Sequence, residues 1–278
     1  MDNERQDAQP ARELERAEDE MAVEEAGKLS ARLIYEVIRR DGEEELARPV
    51  MSLVWSGAAA GLLMGLSVLG EAIFRTNLPD TPARSLIENL GYTFGFLAVI
   101  LGRLQLFTEN TITTVLPVMV KPTLVMIARM LRLWGIVLAA NVAGAFFVAT
   151  LFAWSSAIPA ELVPAITELS EHAVGMPPFQ SFMRAIPAGV LVAALVWMLP
   201  QSENAAFFTI VTFTWLIAAG DFTHIVAGSV EMAFLVVTGA LSFTPAVFGF
   251  FLPVLAGNVV GGTAIFAVLV WGQVKSEI

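Results

Sequence analysis

The chain has 278 residues, of which 56% are hydrophobic and only 15% charged. That composition excludes an ordinary water-soluble domain and reads as a polytopic membrane protein. The net charge of −10 sits mostly in residues 1–49, where 15 acids face 8 bases; an acidic tail argues against nucleic acid or anionic lipid as a partner. The absence of cysteine rules out a disulfide framework, a thiolate metal site and a thiol nucleophile.

Residues 1–49 form an acidic tail, too charged at the start for a signal peptide. Within it, Leu29–Ile38 carries apolar residues at helical spacing. This predicts a short amphipathic helix, along the membrane surface or against the bundle, leading into the first span. Residues 50–272 read as a transmembrane pore domain and 273–278 as a C-terminal tail. Val50–Gly70 is free of charge and long enough to cross a bilayer. A polar loop is expected from Glu71 to Arg84. Leu86–Leu106 continues through Phe107-Thr108-Glu109-Asn110 into Thr111–Val120, a span interrupted by polar residues. Leu133–Phe152 is the third span, and Ala153–Met183 is read as a loop. Pro187–Leu199 marks the fourth span and Pro200–Asn204 a turn. Ala205–Ile217 and Met232–Leu241 are each too short to span alone. Together they cross, around a break that carries Asp221 and His224. Ala246–Trp271 is the sixth span.

A polar break in an apolar span is tolerated only where protein or a wet cavity surrounds it. Such breaks mark binding sites near the midplane of transport proteins. His224 is therefore the leading candidate for a pathway residue, while His172 reads as a solvated loop side chain. Six spans place both termini on one side. Seven bases fall on that side (Arg39, Arg40, Arg48, Lys121, Arg129, Arg132, Lys275) against Arg75, Arg84 and Arg184 opposite. This bias predicts cytoplasmic termini.

Two short matches suggest an internal repeat. Phe107-Thr108 recurs as Phe222-Thr223, 115 residues on, and Asn141-Val-Ala-Gly144 as Asn258-Val-Val-Gly261, 117 residues on. Three spans per half require the halves to insert in opposite directions, giving an all-α 3+3 inverted repeat with helices 2 and 5 broken. In this alignment Glu109 occupies the position of His224. Arg103 is close enough in sequence to pair with Glu109, and Asp221 and Glu231 read as helix caps or subunit contacts.

At these residues the chain resembles the formate/nitrite transporter family. Leu106-Phe107-Thr108 resembles its L-F-T loop motif, and Trp134 with Asn141-Val-Ala-Gly144 its third-helix pattern. Arg184 and Val196-Trp197 are similar to its fourth-helix pattern. Gly220-Asp-Phe-Thr-His224-Ile-Val-Ala is similar to G-F-E-H-x-x-A-N with one extra residue. Gly257-Asn258-Val-Val-Gly261-Gly262 matches G-N-x-x-G-G. The resemblance implies an aquaporin-like fold in the bacterial inner membrane, a homopentamer with one pore per protomer, and passage of small monovalent anions or their acids, without a cofactor, metal or catalytic residue. Carried over by motif, His224 is the pore histidine, Thr108 the loop residue facing it and Asn258 its sixth-helix neighbour. Phe107 and Phe222 help form the constrictions, and Leu106, Thr223 and Glu109 complete the substrate pathway. Four departures set this chain apart from the pattern: Thr223 replaces a Glu, Gly228 an Asn and Gly189 an Asn, and Ala153–Met183 contains no Lys or Arg. A vestibule without a fixed positive charge attracts anions less, so a channel for a small neutral solute on the same fold is the competing expectation.

Overall fold

The computed structural model describes residues 29–202 and 204–277, and every regular element among them is helical. Helix α1, Ala31–Ala47, starts where the Ser30 hydroxyl accepts the Leu33 N–H, a side-chain cap for an otherwise unpaired donor. It outruns the expected helix by nine residues. Its buried side is Ile34, Tyr35, Ile38, Gly42 and Leu46, at the three- and four-residue spacing of one helix face. That face packs on the bundle beside Ile112, Val115, Leu116, Val196, Val270 and Val274.

Four helices are each long and apolar enough to cross a membrane: α2, Val50–Asn77; α6, Leu124–Trp154; α8, Pro178–Gln201; and α11, Pro245–Val274. Between them run two broken paths. In the first, α3 (Arg84–Leu101) gives way to α4 (Phe107–Thr113) and α5 (Val115–Val120); in the second, α9 (Ala206–Ala219) gives way to α10 (Ile225–Val237). Helix α7, Val163–Val174, occupies the segment expected as a loop. Helix α2 packs on α6 and α3, α8 on α11, α9 on α3, and α10 on α6 and α7.

Three boundaries differ from the sequence expectation for one reason. Helix α2 continues to Asn77, through Glu71 and Arg75; α6 begins at Leu124, through Arg129 and Arg132; and α8 begins at Pro178, through Arg184. A charge ends an apolar run without ending a helix when its side chain has somewhere polar to go. Glu71 is buried facing a cavity, and a backbone that leaves the helix there would strand its own N–H and C=O groups.

The two breaks share one geometry. After α3, Gly102 N–H bonds Ala98 O, Arg103 takes φ +50°, and Leu104 N–H bonds Val99 O. After α9, Gly220 N–H bonds Leu216 O, Asp221 takes φ +54°, and Phe222 N–H bonds Ile217 O. A left-handed residue other than glycine costs about 1–2 kcal/mol, so each break is held against strain by what surrounds it. These bonds recur 118 residues apart, which aligns Leu104 with Phe222, Leu106 with His224 and Phe107 with Ile225. The Phe-Thr identity at 115 residues is thus not the structural correspondence, and Glu109 aligns with Ala227 rather than His224.

Candidate permeation site

The chain beyond each break turns into a short helix whose first residues are fixed by an asparagine from a neighbouring long helix. Phe107 N–H donates to Asn141 Oδ1 at 2.9 Å, and Asn141 Nδ2 donates to Gly57 O and Gln105 O, each at 2.8 Å. Ile225 N–H donates to Asn258 Oδ1 at 2.8 Å, and Asn258 Nδ2 donates to Ala185 O at 2.8 Å and Thr223 O at 3.0 Å. Both asparagines are fully buried. Asn258 therefore holds the break beside His224, and all its recorded bonds go to backbone.

His224 caps α10. Its Nδ1 accepts the Ala227 N–H at 3.3 Å, and its Nε2 lies 2.7 Å from Thr108 Oγ1 on the other broken path. A neutral imidazole has one donor nitrogen and one acceptor. With Nδ1 accepting from the backbone, the hydrogen-bond network assigns the proton to Nε2, which donates to the Thr108 oxygen. The edge of the Phe96 and His224 ring pair, centroids 4.9 Å apart, closes the site from α3. Both His224 and Thr108 are buried.

Two cavities approach this pair from opposite ends. One, of about 610 Å³, lies at the end covered by α1 and reaches Leu104, Gln105, Leu106 and Glu109. The other, of about 420 Å³, lies at the far end and reaches Phe222, Thr223, His224 and Gly228. Thr223 also ties its break to α8, donating its hydroxyl to Ser181 O at 2.8 Å. Phe107 is placed away from both cavities. Its ring meets Trp134 edge-on at 5.7 Å, and Trp134 Nε1 donates to Thr114 Oγ1 at 2.9 Å. Leu104, Leu106 and Phe222, rather than Phe107, are the apolar side chains of the two breaks that reach the cavities.

Other side chains stand elsewhere than the sequence suggested. Glu109 makes no ion pair with Arg103; one of its oxygens is buried without a partner, and both residues line the α1-side cavity. Asp221 is bound by Arg184 and by His172 Nε2 at 3.0 Å; His172 is largely exposed, as expected, but lies on a helix and touches the second break. Glu231 lines the far-side cavity with Glu71 and Tyr92. The signal that could have revealed Glu71 and Glu231 is the apolar run that continues past each, Ala72-Ile-Phe74 after the first and Met232-Ala-Phe-Leu235 after the second. Among the described residues no group of three or more His, Cys, Asp or Glu could hold a metal ion.

Comparison with known proteins gives a consistent picture. The sequence model described as "Formate/nitrite transporter" matches residues 32–272. Over 248 residues, 89% of this chain and 80% of the relative, the sequence is 46% identical to inner membrane protein YfdC of Escherichia coli K12. It is 26% identical over 249 residues to the formate channel FocA of Haemophilus influenzae, covering 80% of this chain and 86% of that one. Among solved structures, an FNT family ion channel superimposes with TM-score 0.76 at 20% identity, over 86% of this chain and 98% of the other. A pentameric formate channel with formate bound does so with TM-score 0.70 at 18% identity, over 82% and 98%.

Proposed function

Because this chain belongs to the formate/nitrite transporter family, we propose that it is a membrane pore for small monovalent anions of the formate and nitrite kind, or their acids, with His224 and Thr108 at its narrowest point. The observation that carries this reading is the 2.7 Å contact between His224 Nε2 and Thr108 Oγ1. It joins the two broken paths between two cavities that open toward opposite ends.

The chemistry follows from the assigned tautomer. Nε2–H donates to the Thr108 oxygen, which leaves the threonine hydroxyl proton to be donated to a passing oxygen. A carboxylate or nitrite oxygen that displaces the threonine meets the imidazole N–H instead. A bare anion in so apolar a constriction bears a desolvation cost of tens of kcal/mol if nothing compensates it. The N-terminal end of α10 begins at this point and adds positive potential through the helix dipole. Crossing with a proton removes most of the remaining cost.

The same reading takes the six passages as two halves of three, inverted with respect to each other and aquaporin-like, with paths 2 and 5 broken. It places residues 50–272 in the bilayer, the acidic tail 1–49 and residues 273–278 in the cytoplasm, and the protein in the bacterial inner membrane. YfdC, named an inner membrane protein, supports the inner membrane, and the pentameric formate channel supports a homopentamer. Large apolar side chains on the outside of the single chain, including Trp55, Leu124, Phe208 and Phe243, suit lipid or neighbouring protomers.

A neutral-solute pore is the second reading, favoured by the unpartnered Glu109 oxygen. Purified protein in liposomes decides between them. Formate and nitrite flux above that of protein-free vesicles, lost in His224→Phe, supports the first. Urea or glycerol flux without formate flux supports the second.

A further inference from the structure

The far-side cavity contains two carboxyl groups that no base answers. Glu71 on α2 and Glu231 on α10 are 6% and 8% exposed, line the same cavity, and have no ion pair among the described residues. The charges around them are committed elsewhere. Arg75, one turn along α2, bonds Glu88 of α3 at 2.7 Å and approaches Glu168 of α7 at 3.7 Å. Asp221 takes Arg184 of α8 and His172 of α7. Tyr92 of α3 lines the cavity as a phenol, and His224 closes its floor as a neutral imidazole. The α1-side cavity repeats the sign, with Asp41, Glu44, Glu45 and Glu109 against Arg103, and the oxygen nearest to being free is again a carboxyl one, Glu109 Oε1.

The constriction has the opposite polarity. It sits at the positive N-terminal end of α10 and presents the imidazole N–H and the Thr108 hydroxyl, which disfavour a cation. Unpaired negative groups before a positive-ended constriction leave an uncharged molecule as the species opposed by neither. We propose that Glu71 and Glu231 are specificity-determining residues of the pore, admitting weak acids from the far side in their uncharged form and rejecting the bare anion. This rests on the reading of His224 and Thr108 as the pore constriction.

Both protonation states of the pair act in the same direction. An ionised carboxylate repels the anion. A protonated one passes its O–H proton to an oxygen of the anion, forming the uncharged acid and leaving a carboxylate, which is reprotonated by a hydronium ion from the far-side solution, so that each cycle consumes one anion and one solution proton and yields one molecule of acid. No other reactant is needed.

The test compares the wild type, Glu71→Gln/Glu231→Gln, Glu231→Gln alone and His224→Phe in liposomes, with sodium formate as probe from pH 5 to 8. Wild-type formate flux is expected to fall about tenfold per pH unit, following the fraction of uncharged acid, and to carry no current. The double variant is expected to flatten that profile, with at least about tenfold more flux than wild type at pH 8 and a formate current. Glu231→Gln shifts the profile in the same direction and serves if the double variant does not assemble. A wild-type formate current at pH 8, or variant profiles that superimpose on the wild type, would overturn the assignment of Glu71 and Glu231 while leaving the pore reading intact. Wild-type flux no greater than that of protein-free vesicles, or unchanged by His224→Phe, overturns the pore reading itself and this inference with it.

Discussion

Asn141 and Asn258 hold the two helix breaks with the same three hydrogen bonds. Each accepts from the first N–H of the short helix beyond the break, donates to the chain two residues before that N–H, and donates to the long helix alongside. Two otherwise unpaired backbone groups per break, the first N–H beyond it and the carbonyl two residues earlier, are satisfied by one side chain inside a region without water, and the third bond ties the break to the neighbouring long helix. This is what allows the chain to stop being helical at that depth.

Removing either asparagine should therefore unseat a break rather than merely alter a pore wall. Each orphaned buried partner costs about 1–3 kcal/mol, so Asn258→Ala, which orphans the Ile225 N–H and the Thr223 carbonyl, is expected to lower stability by at least about 2 kcal/mol. Asn258→Asp keeps the acceptor for Ile225 N–H and loses both donors, and is expected to be nearly as damaging. Thermal unfolding followed by fluorescence-detected gel filtration measures this. A variant that melts with the wild type would show that the clamp carries little energy.

Thr108 and His224 should separate chemistry from assembly. Thr108→Val keeps the shape of the side chain and deletes the hydroxyl that faces Nε2 at 2.7 Å. One neutral hydrogen bond is worth about 1 kcal/mol, so the fold is expected to persist while formate flux falls about tenfold or more. Thr108→Ser, which restores the hydroxyl, is expected to recover most of it. His224→Phe should abolish flux in protein that still assembles. Equal flux in the valine and serine variants would remove the hydroxyl from the mechanism.

The broken paths were legible in the sequence because a polar cluster inside an apolar run has few physical explanations, and the family motifs fell on those clusters. What misled was residue identity at short range. Phe107-Thr108 and Phe222-Thr223 look like repeats, yet the bonds align Phe107 with Ile225. Two-residue identities carry less information than the position of an asparagine that must reach three backbone groups. Glu71 was mistaken for a loop residue since hydropathy registers its charge and not the cavity it faces. His172 lies 49 positions from Asp221, a separation at which periodicity says nothing about contact.

Two small residues test the close approach of the long helices. A β-carbon on Gly61 would collide with the Asn141 carbonyl, and one on Gly189 with the Asn258 carbonyl. Neither helix can give way without moving an asparagine clamp. Gly61→Ala and Gly189→Ala are each expected to cost about 1–3 kcal/mol through overpacking. Gly135 lies in α6 with nothing within 4 Å of the same added atom. Gly135→Ala is thus expected to be neutral or to stabilise by up to about 1 kcal/mol through helix propensity. Melting temperatures of the three variants, in the same detergent, give the comparison; a loss in Gly135→Ala equal to that in Gly189→Ala would refute the steric account.

The pH dependence of transport should owe nothing to the docking of α1. Glu36 is held down to about 2 by the hydrogen bonds of Arg39 and Arg40, at 2.8 and 2.7 Å. A carboxyl lowered in the folded state contributes stability that is fully present above its unfolded value near 4.5 and is lost as pH falls through the folded value. From pH 5 to 8 that contribution is constant. The ion pairs are partly exposed and screened by salt, so Glu36→Gln is expected to change stability little. Its formate flux, measured across the same pH series, should follow the wild-type curve at every point. A Glu36→Gln profile displaced along the pH axis would place α1 among the elements that set the protonation behaviour of the pore.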